Sequence, residues 1–175
     1  VEVVGKKDCG RGALSMENTI PNCDGLMTAE KQVPIIMNYA DCTPLLFYDP
    51  VKEAIALSHG GWRGTAGNIA GKTIEKMKRV FGCKGEDILC AIGPAIGKDD
   101  FEVGMDVIEA FQHLFSPKEM QTLSRKKENG KYFFDLHGAN RLLLEKEGIP
   151  QEHIEDCGIS TYAQDDLFYS YRKSG

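Results

Sequence analysis

Apolar residues recur along this chain in two rhythms. The runs VPIIMNY (33–39), PLLFY (44–48), EAIALSH (53–59) and DILCAIG (87–93) are short and bounded by turn residues, which suits strands covered on both faces. Between them the spacing becomes helical. Ile69, Ala70, Ile74, Met77 and Phe81 fall on one stripe closed by Gly82, and Val107, Ile108, Phe111, Leu114 and Phe115 form a second stopped by Pro117. Leu136, Ala139 and Leu143, followed by Gly148 and Pro150, mark a third helix. FYSYRKSG (168–175) ends the chain with an expected aromatic strand that carries Arg172. Strands interleaved with helices predict the α/β class: a single layered domain with a mixed β-sheet flanked by helices.

Composition narrows the partners. A chain of 175 residues, 42% hydrophobic, buries a core large enough for one domain, and no repeat or linker divides it. The net charge of −5 opposes a nucleic-acid surface, which needs excess Lys and Arg to displace counterions from phosphates. The one basic run, Lys126-Lys127, sits beside Glu128 and reads as a solvated face. No apolar run approaches the roughly 20 residues that span a bilayer, and VEVVGKKDCG at the start lacks the apolar stretch of a secretory signal. A soluble cytoplasmic protein is therefore expected, with its six cysteines, none in a CxxC pair, as reduced thiols.

Candidate chemistry concentrates in ADCTPLLFYDPVKEAIALSHGGWRG (40–64). Asp49-Pro50-Val51-Lys52 has the residues of a β-turn. With Asp49 facing Lys52, Leu46 faces Ile55, Pro44 faces Leu57, and Cys42 faces His59. Cβ atoms of such a pair lie about 4.5 to 5.5 Å apart, a gap that zinc bridges with bonds of about 2.3 Å to sulfur and 2.0 Å to nitrogen. Pro50 excludes the primed turns of two-residue hairpins, so a longer loop would shift the register, and a one-residue slip would put the pair on opposite faces. The plainer alternative is a small buried cysteine and a satisfied strand-end histidine. Next, GGWRGTAGN (60–68) leads from strand to helix: its glycines let backbone approach a bound group, and Arg63 offers a donor fork that suits phosphate. The same residues also suit a tight turn with Arg63 paired to a surface carboxylate.

Elsewhere the signals are weaker. Asp99, Asp100 and Glu102 in IGPAIGKDDFEVG (92–104) suit acid–base work, although a helix start decorated with acids needs no function. Asp24 precedes Gly25 in NCDGLMT (22–28), a turn signal that can also aim a carboxylate into a cleft. His113, His137 and His153 lack ligand spacing and read as structural.

With ADC (40–42) and SHGGWRG (58–64), the chain resembles the laccase-domain family, also called YfiH-like or multicopper polyphenol oxidase-like proteins and described as purine nucleoside phosphorylases. DGLMT (24–28), IGPAIG (92–97), the Phe-Asp-Leu of YFFDL (132–136) and FYSYR (168–172) match family signatures in order. The resemblance implies an α/β fold related to the deamidase domain of a cytotoxic necrotizing toxin. It also implies a zinc held by His, Cys and His, with copper attached to an older laccase activity, and phosphorolysis of adenosine, inosine and methylthioadenosine beside adenosine deamination. Cys42 matches the cysteine ligand and His59 the second histidine ligand. The first lies in a Gln-x-His segment upstream of Val1, and family members continue past Gly175, so residues 1–175 are expected to be one domain trimmed at both ends. Phe101 stands where a tyrosine is frequent, and Ser160-Thr161 where Cys-Thr is common.

The expected catalytic residues are Cys42, His59 and Arg63, with Asp41, Gly61, Gly64 and Arg172 binding substrate. Partners are a purine nucleoside and phosphate, on a monomer or weak homodimer. The rivals are a metal-free cysteine hydrolase in which His59 activates Cys42, a copper-dependent polyphenol oxidase, and a non-catalytic binding module.

Overall fold

A computed structural model describes residues 1–13 and 18–175. Its strands are β1 (Glu2–Val3), β2 (Gly25–Thr28), β3 (Thr43–Asp49), β4 (Ala54–Gly60), β5 (Leu89–Ile92), β6 (Glu102–Val103), β7 (Ser124–Lys126), β8 (Tyr132–Phe134) and β9 (Ile154–Asp156). Among the described residues, six of these form one sheet in the order β1-β2-β4-β3-β5-β9, and β6-β8-β7 form a small second one. β1 with β2 and β5 with β9 pair in parallel while the central pairs are antiparallel, so the large sheet is mixed.

The helices follow from their stripes and caps. α1 (Trp62–Ala66) leads into α2 (Ile69–Phe81), which opens on Asn68, whose side chain accepts from the Gly71 amide, and buries Ile69, Ala70, Ile74 and Met77. α5 (Leu136–Lys146) opens the same way on Asp135, whose carboxylate accepts from Gly138. Of the second expected stripe only the first part is helical, as α3 (Met105–Phe111); Leu114 and Phe115 lie in the turn beyond it, and a separate helix, α4 (Pro117–Leu123), follows. Pro117 ends nothing here: it is the first residue of α4, behind a reciprocal Ser116/Glu119 cap, the position where a missing N–H costs no bond. Phe111 of α3 and Phe134 of β8 are fully buried and stack with centroids 4.5 Å apart. No helix of the described chain is long and apolar enough to cross a membrane.

Two expected strands are absent. Residues 33–39 run as irregular chain, and residues 168–175 end in the short helix α6 (Tyr171–Ser174) with Tyr169 and Tyr171 exposed. Coverage also differs from the expectation of strands enclosed on both sides. Leu45 and Phe47 of β3, Ala54, Ala56 and Ser58 of β4, and Cys90 and Ile92 of β5 are buried on the side of α2 and α5. Leu46, Tyr48, Ile55 and Leu89 point the other way and stay 36–44% exposed. That strict alternation marks a sheet covered on one side. On the open side Ile35, Leu46, Tyr48, Ile55, Leu57 and Leu89 line a groove of about 510 Å³.

Candidate functional site

The geometry of the hairpin decides where Cys42 and His59 meet. Asp49 pairs with Ala54 rather than Lys52, because the loop holds four residues, 50–53, with Glu53 in the left-handed region (φ 51°). Asp49 Oδ1 accepts from the amides of Val51 and Lys52, both at 2.8 Å, and fixes this longer loop. Leu46 therefore faces Leu57, Pro44 faces His59, and one further step sets Cys42 across from Gly61. The shift is two residues, so the side chains of Cys42 and His59 keep a common face, as diagonal rather than direct neighbours. A Cβ placed on Gly61 would lie 3.0 Å from Cys42 Sγ and 3.3 Å from His59 Cε1, so glycine keeps open the small space on which both converge. Both belong to the sheet face that α2 and α5 leave uncovered.

His59 has further neighbours. The Tyr39 ring stacks on it with centroids 5.6 Å apart at 29°, and the Tyr39 hydroxyl donates to the Ser58 carbonyl at 3.2 Å. On its β2 side the His59 amide donates to the Asp24 carbonyl at 2.7 Å, and Asp24 Oδ1 lies 3.9 Å from His59 Nδ1. Burial pushes the Cys42 thiol above its ordinary range, and the carboxylates of Asp41 and Asp24 push the same way. The Tyr39 hydroxyl is likewise raised, by burial first and by Cys42 second.

α1 follows immediately. A Cβ on Gly64 would lie 2.7 Å from the His59 carbonyl oxygen, so that glycine lets the helix sit against the end of β4. Buried Thr65 shares its hydroxyl hydrogen between the Gly60 carbonyl and Asn140 Oδ1, both at 3.2 Å, which ties α1 to α5. Arg63 is exposed, its guanidinium 4.3 Å from the centroid of the Trp62 ring. No carboxylate among the described residues forms an ion pair with it.

Asp41, expected as a substrate contact, is buried, and its carboxylate is engaged by the protein. It accepts from the Thr161 hydroxyl at 2.7 Å, the Ser170 hydroxyl at 3.0 Å and the Arg172 amide at 2.7 Å. Its backbone holds φ at +76°, a strained value for a residue with a side chain. The Arg172 side chain, also expected on substrate, donates to the Glu102 carbonyl at 2.8 Å and lies over the Phe101 ring. The loop carboxylates hold structure: Asp99 pairs with Arg125, Asp100 accepts from Ser160, and Glu102 joins Lys127 and Lys131. That last pairing also engages Lys127, read from sequence as merely solvated. Of the other histidines, His113 is exposed, His153 edges the apolar groove, and His137 Nδ1 lies 2.9 Å from Asp156.

Neither Tyr39 nor the pair Thr65 and Asn140 stands out in the sequence. An aromatic immediately before ADC is the single local signal for Tyr39, and nothing local announces a bond that spans 75 residues.

Zinc sites use four-coordinate sets with at least three protein ligands. Among the described residues, no group of three His, Cys, Asp or Glu side chains is placed to hold a metal ion. Cys42 and His59 offer two donors of the right chemistry and no more, so the residues described do not complete such a site.

The whole chain, residues 1–175, matches the family described as multi-copper polyphenol oxidoreductase laccase. It is 37% identical over 174 residues to a purine nucleoside phosphorylase of Bacteroides thetaiotaomicron, covering 99% of this chain and 64% of that protein. It is 36% identical over 160 residues to adenosine deaminase RL5 of an unknown prokaryotic organism, covering 91% and 60%. Its fold matches the crystal structure of the hypothetical protein YfiH from Bacillus licheniformis with a TM-score of 0.95 at 32% identity, covering 99% of this chain and 64% of that one. The chain thus spans less than two thirds of the length of each of these proteins. Matched from its first residue to its last, it belongs to the multi-copper polyphenol oxidoreductase laccase family.

Proposed function

We propose that this chain carries the site of a purine nucleoside phosphorylase that accepts adenosine, inosine and methylthioadenosine and also deaminates adenosine. The observation that carries this reading is the convergence of Cys42 and His59 on the space above Gly61, two residues before an exposed Arg63 that has no carboxylate partner among the described residues. The name of the Bacteroides relative supports phosphorolysis, and that of RL5 supports deamination. In phosphorolysis, a phosphate oxygen forms a bond to the ribose C1′ as the C1′–N9 bond breaks, and the electron pair leaves with the base. The Arg63 fork holds the incoming dianion. In deamination, water adds at C6 of adenine and ammonia departs. Were zinc bound here, Cys42 and His59 would be two of its ligands and would need a third donor beyond the residues described.

A metal-free cysteine hydrolase is less well supported. Such a nucleophile needs a lowered thiol pKa, whereas burial and two carboxylates raise that of Cys42. No hydrogen bond joins Cys42 to His59 among the described residues.

The test is turnover of inosine and adenosine by the full-length protein with and without phosphate. Ribose 1-phosphate and free base are expected only when phosphate is present, and ammonia from adenosine in either case. Arg63→Ala is expected to raise the KM for phosphate about tenfold or more, from the loss of charge-assisted hydrogen bonds. Base release indifferent to phosphate would overturn the phosphorylase reading.

A further inference from the structure

The register of β2 against β4 pairs Gly25 with Ser58, and one step further it sets Asp24 directly across from His59. The 2.7 Å bond from the His59 amide to the Asp24 carbonyl shows that the ladder reaches this pair. Side chains so opposed share a face, with Cβ atoms about 4.5 to 5.5 Å apart. On the other flank Pro44 stands opposite on β3 and brings no side-chain acceptor, Cys42 lies diagonal to the ring across Gly61, and the Tyr39 hydroxyl donates to the Ser58 carbonyl. Among the described residues, Asp24 supplies the one carboxylate within 4 Å of a ring nitrogen of His59, and the nitrogen it approaches is Nδ1. The His59 side chain is 32% exposed and confined by the Tyr39 stack, while that of Asp24 is 67% exposed and has room to close the remaining distance.

We infer that Asp24 is a positioning residue for His59: its carboxylate accepts a hydrogen bond from Nδ1–H, fixes that tautomer, and leaves Nε2, with its lone pair free, as the working atom of the site. A neutral imidazole carries one proton, and its location depends on the hydrogen bond made by the other nitrogen. With Nδ1–H directed at Asp24, Nε2 is an acceptor or ligand and not a donor. The inference deepens the proposed function and rests on it only for the use made of Nε2; the tautomer itself does not depend on which reaction the site performs.

The experiment reads the tautomer directly. Long-range ¹H–¹⁵N correlation spectra of the histidine rings are recorded at pH 8 on the full-length protein after chelator treatment, so that no metal fixes the ring. Wild type is expected to show His59 protonated at Nδ1. Asp24→Ala is expected to move it toward the Nε2-protonated form, and Asp24→Glu to restore the first pattern. Because Asp24 is largely exposed, the alanine variant keeps its core, which unchanged amide spectra elsewhere will verify. In purine turnover, Asp24→Ala is expected to lower kcat about 10- to 100-fold with the KM for phosphate nearly unchanged. A His59 tautomer that is the same in wild type and Asp24→Ala overturns the inference whatever the activity; absence of phosphorolysis in the wild type overturns the proposed function and leaves the tautomer result standing.

Discussion

Cys42→Ala is expected to lower kcat/KM for phosphorolysis about 100-fold or more, the largest functional loss of any single substitution in this site. The expectation rests on position: the sulfur stands at the space above Gly61 that it shares with the edge of His59. Folding should hardly notice the change. Cys42 is half-buried beside two carboxylates that oppose its ionisation, so removing the sulfur costs about 1 kcal/mol or less. The same environment gives a pH signature. A thiol whose folded pKa lies above its ordinary 9.0 contributes stability below pH 9.0 and loses it as pH rises through the folded value. Melting temperatures taken from pH 7 to 10.5 should therefore fall more steeply for wild type than for the alanine variant. Full activity of Cys42→Ala would remove this residue from the chemistry altogether.

Asp41→Ala is expected to do the reverse and strike stability first. Three donors converge on the carboxylate from chain segments 120 to 131 residues away, and Thr161 and Ser170 are themselves buried. Without the carboxylate, all three donors lose a charged acceptor and the two buried hydroxyls are left without a partner, which costs about 3 to 5 kcal/mol. For a chain of this size that is about a 10 °C fall in melting temperature. Asp41→Asn should fall between the two, since asparagine tolerates the left-handed backbone at this position but brings a donor where three donors already point. Thermal denaturation followed by circular dichroism gives the answer; a melting temperature within about 2 °C of wild type for Asp41→Ala would show that the network holds nothing.

How much of this was legible in the sequence depended on whether the deciding partner was local. α2 and α5 follow their stripes because an amphipathic face and a capping side chain lie within a few residues of each other. Strands need a partner that the sequence does not name. Residues 33–39 have a strand's composition but no ladder, and residues 168–172 likewise join none, with Tyr169 and Tyr171 exposed. The one-sided coverage of the sheet was present in the alternation of β3 and β4, concealed by outward positions that are themselves apolar. For the site, the motif marked Cys42, His59 and Arg63, while Pro50 foretold a longer loop without giving its length. The common face survived because the loop grew by two residues rather than one. Asp41 could not be read correctly from its neighbours, since what occupies its carboxylate arrives from the far end of the chain.

The open side of the large sheet bears on how this molecule behaves in a tube. Leu46, Tyr48, Ile55 and Leu89 present an oily slope beside a groove when residues 1–175 are folded by themselves. Hydrophobic dyes such as ANS, commonly used to flag loosened states, will light up on the intact fold. A fluorescence melt that relies on them starts from a high baseline and reports colloidal self-association as readily as loss of structure, so detergent and concentration govern its shape as much as temperature does.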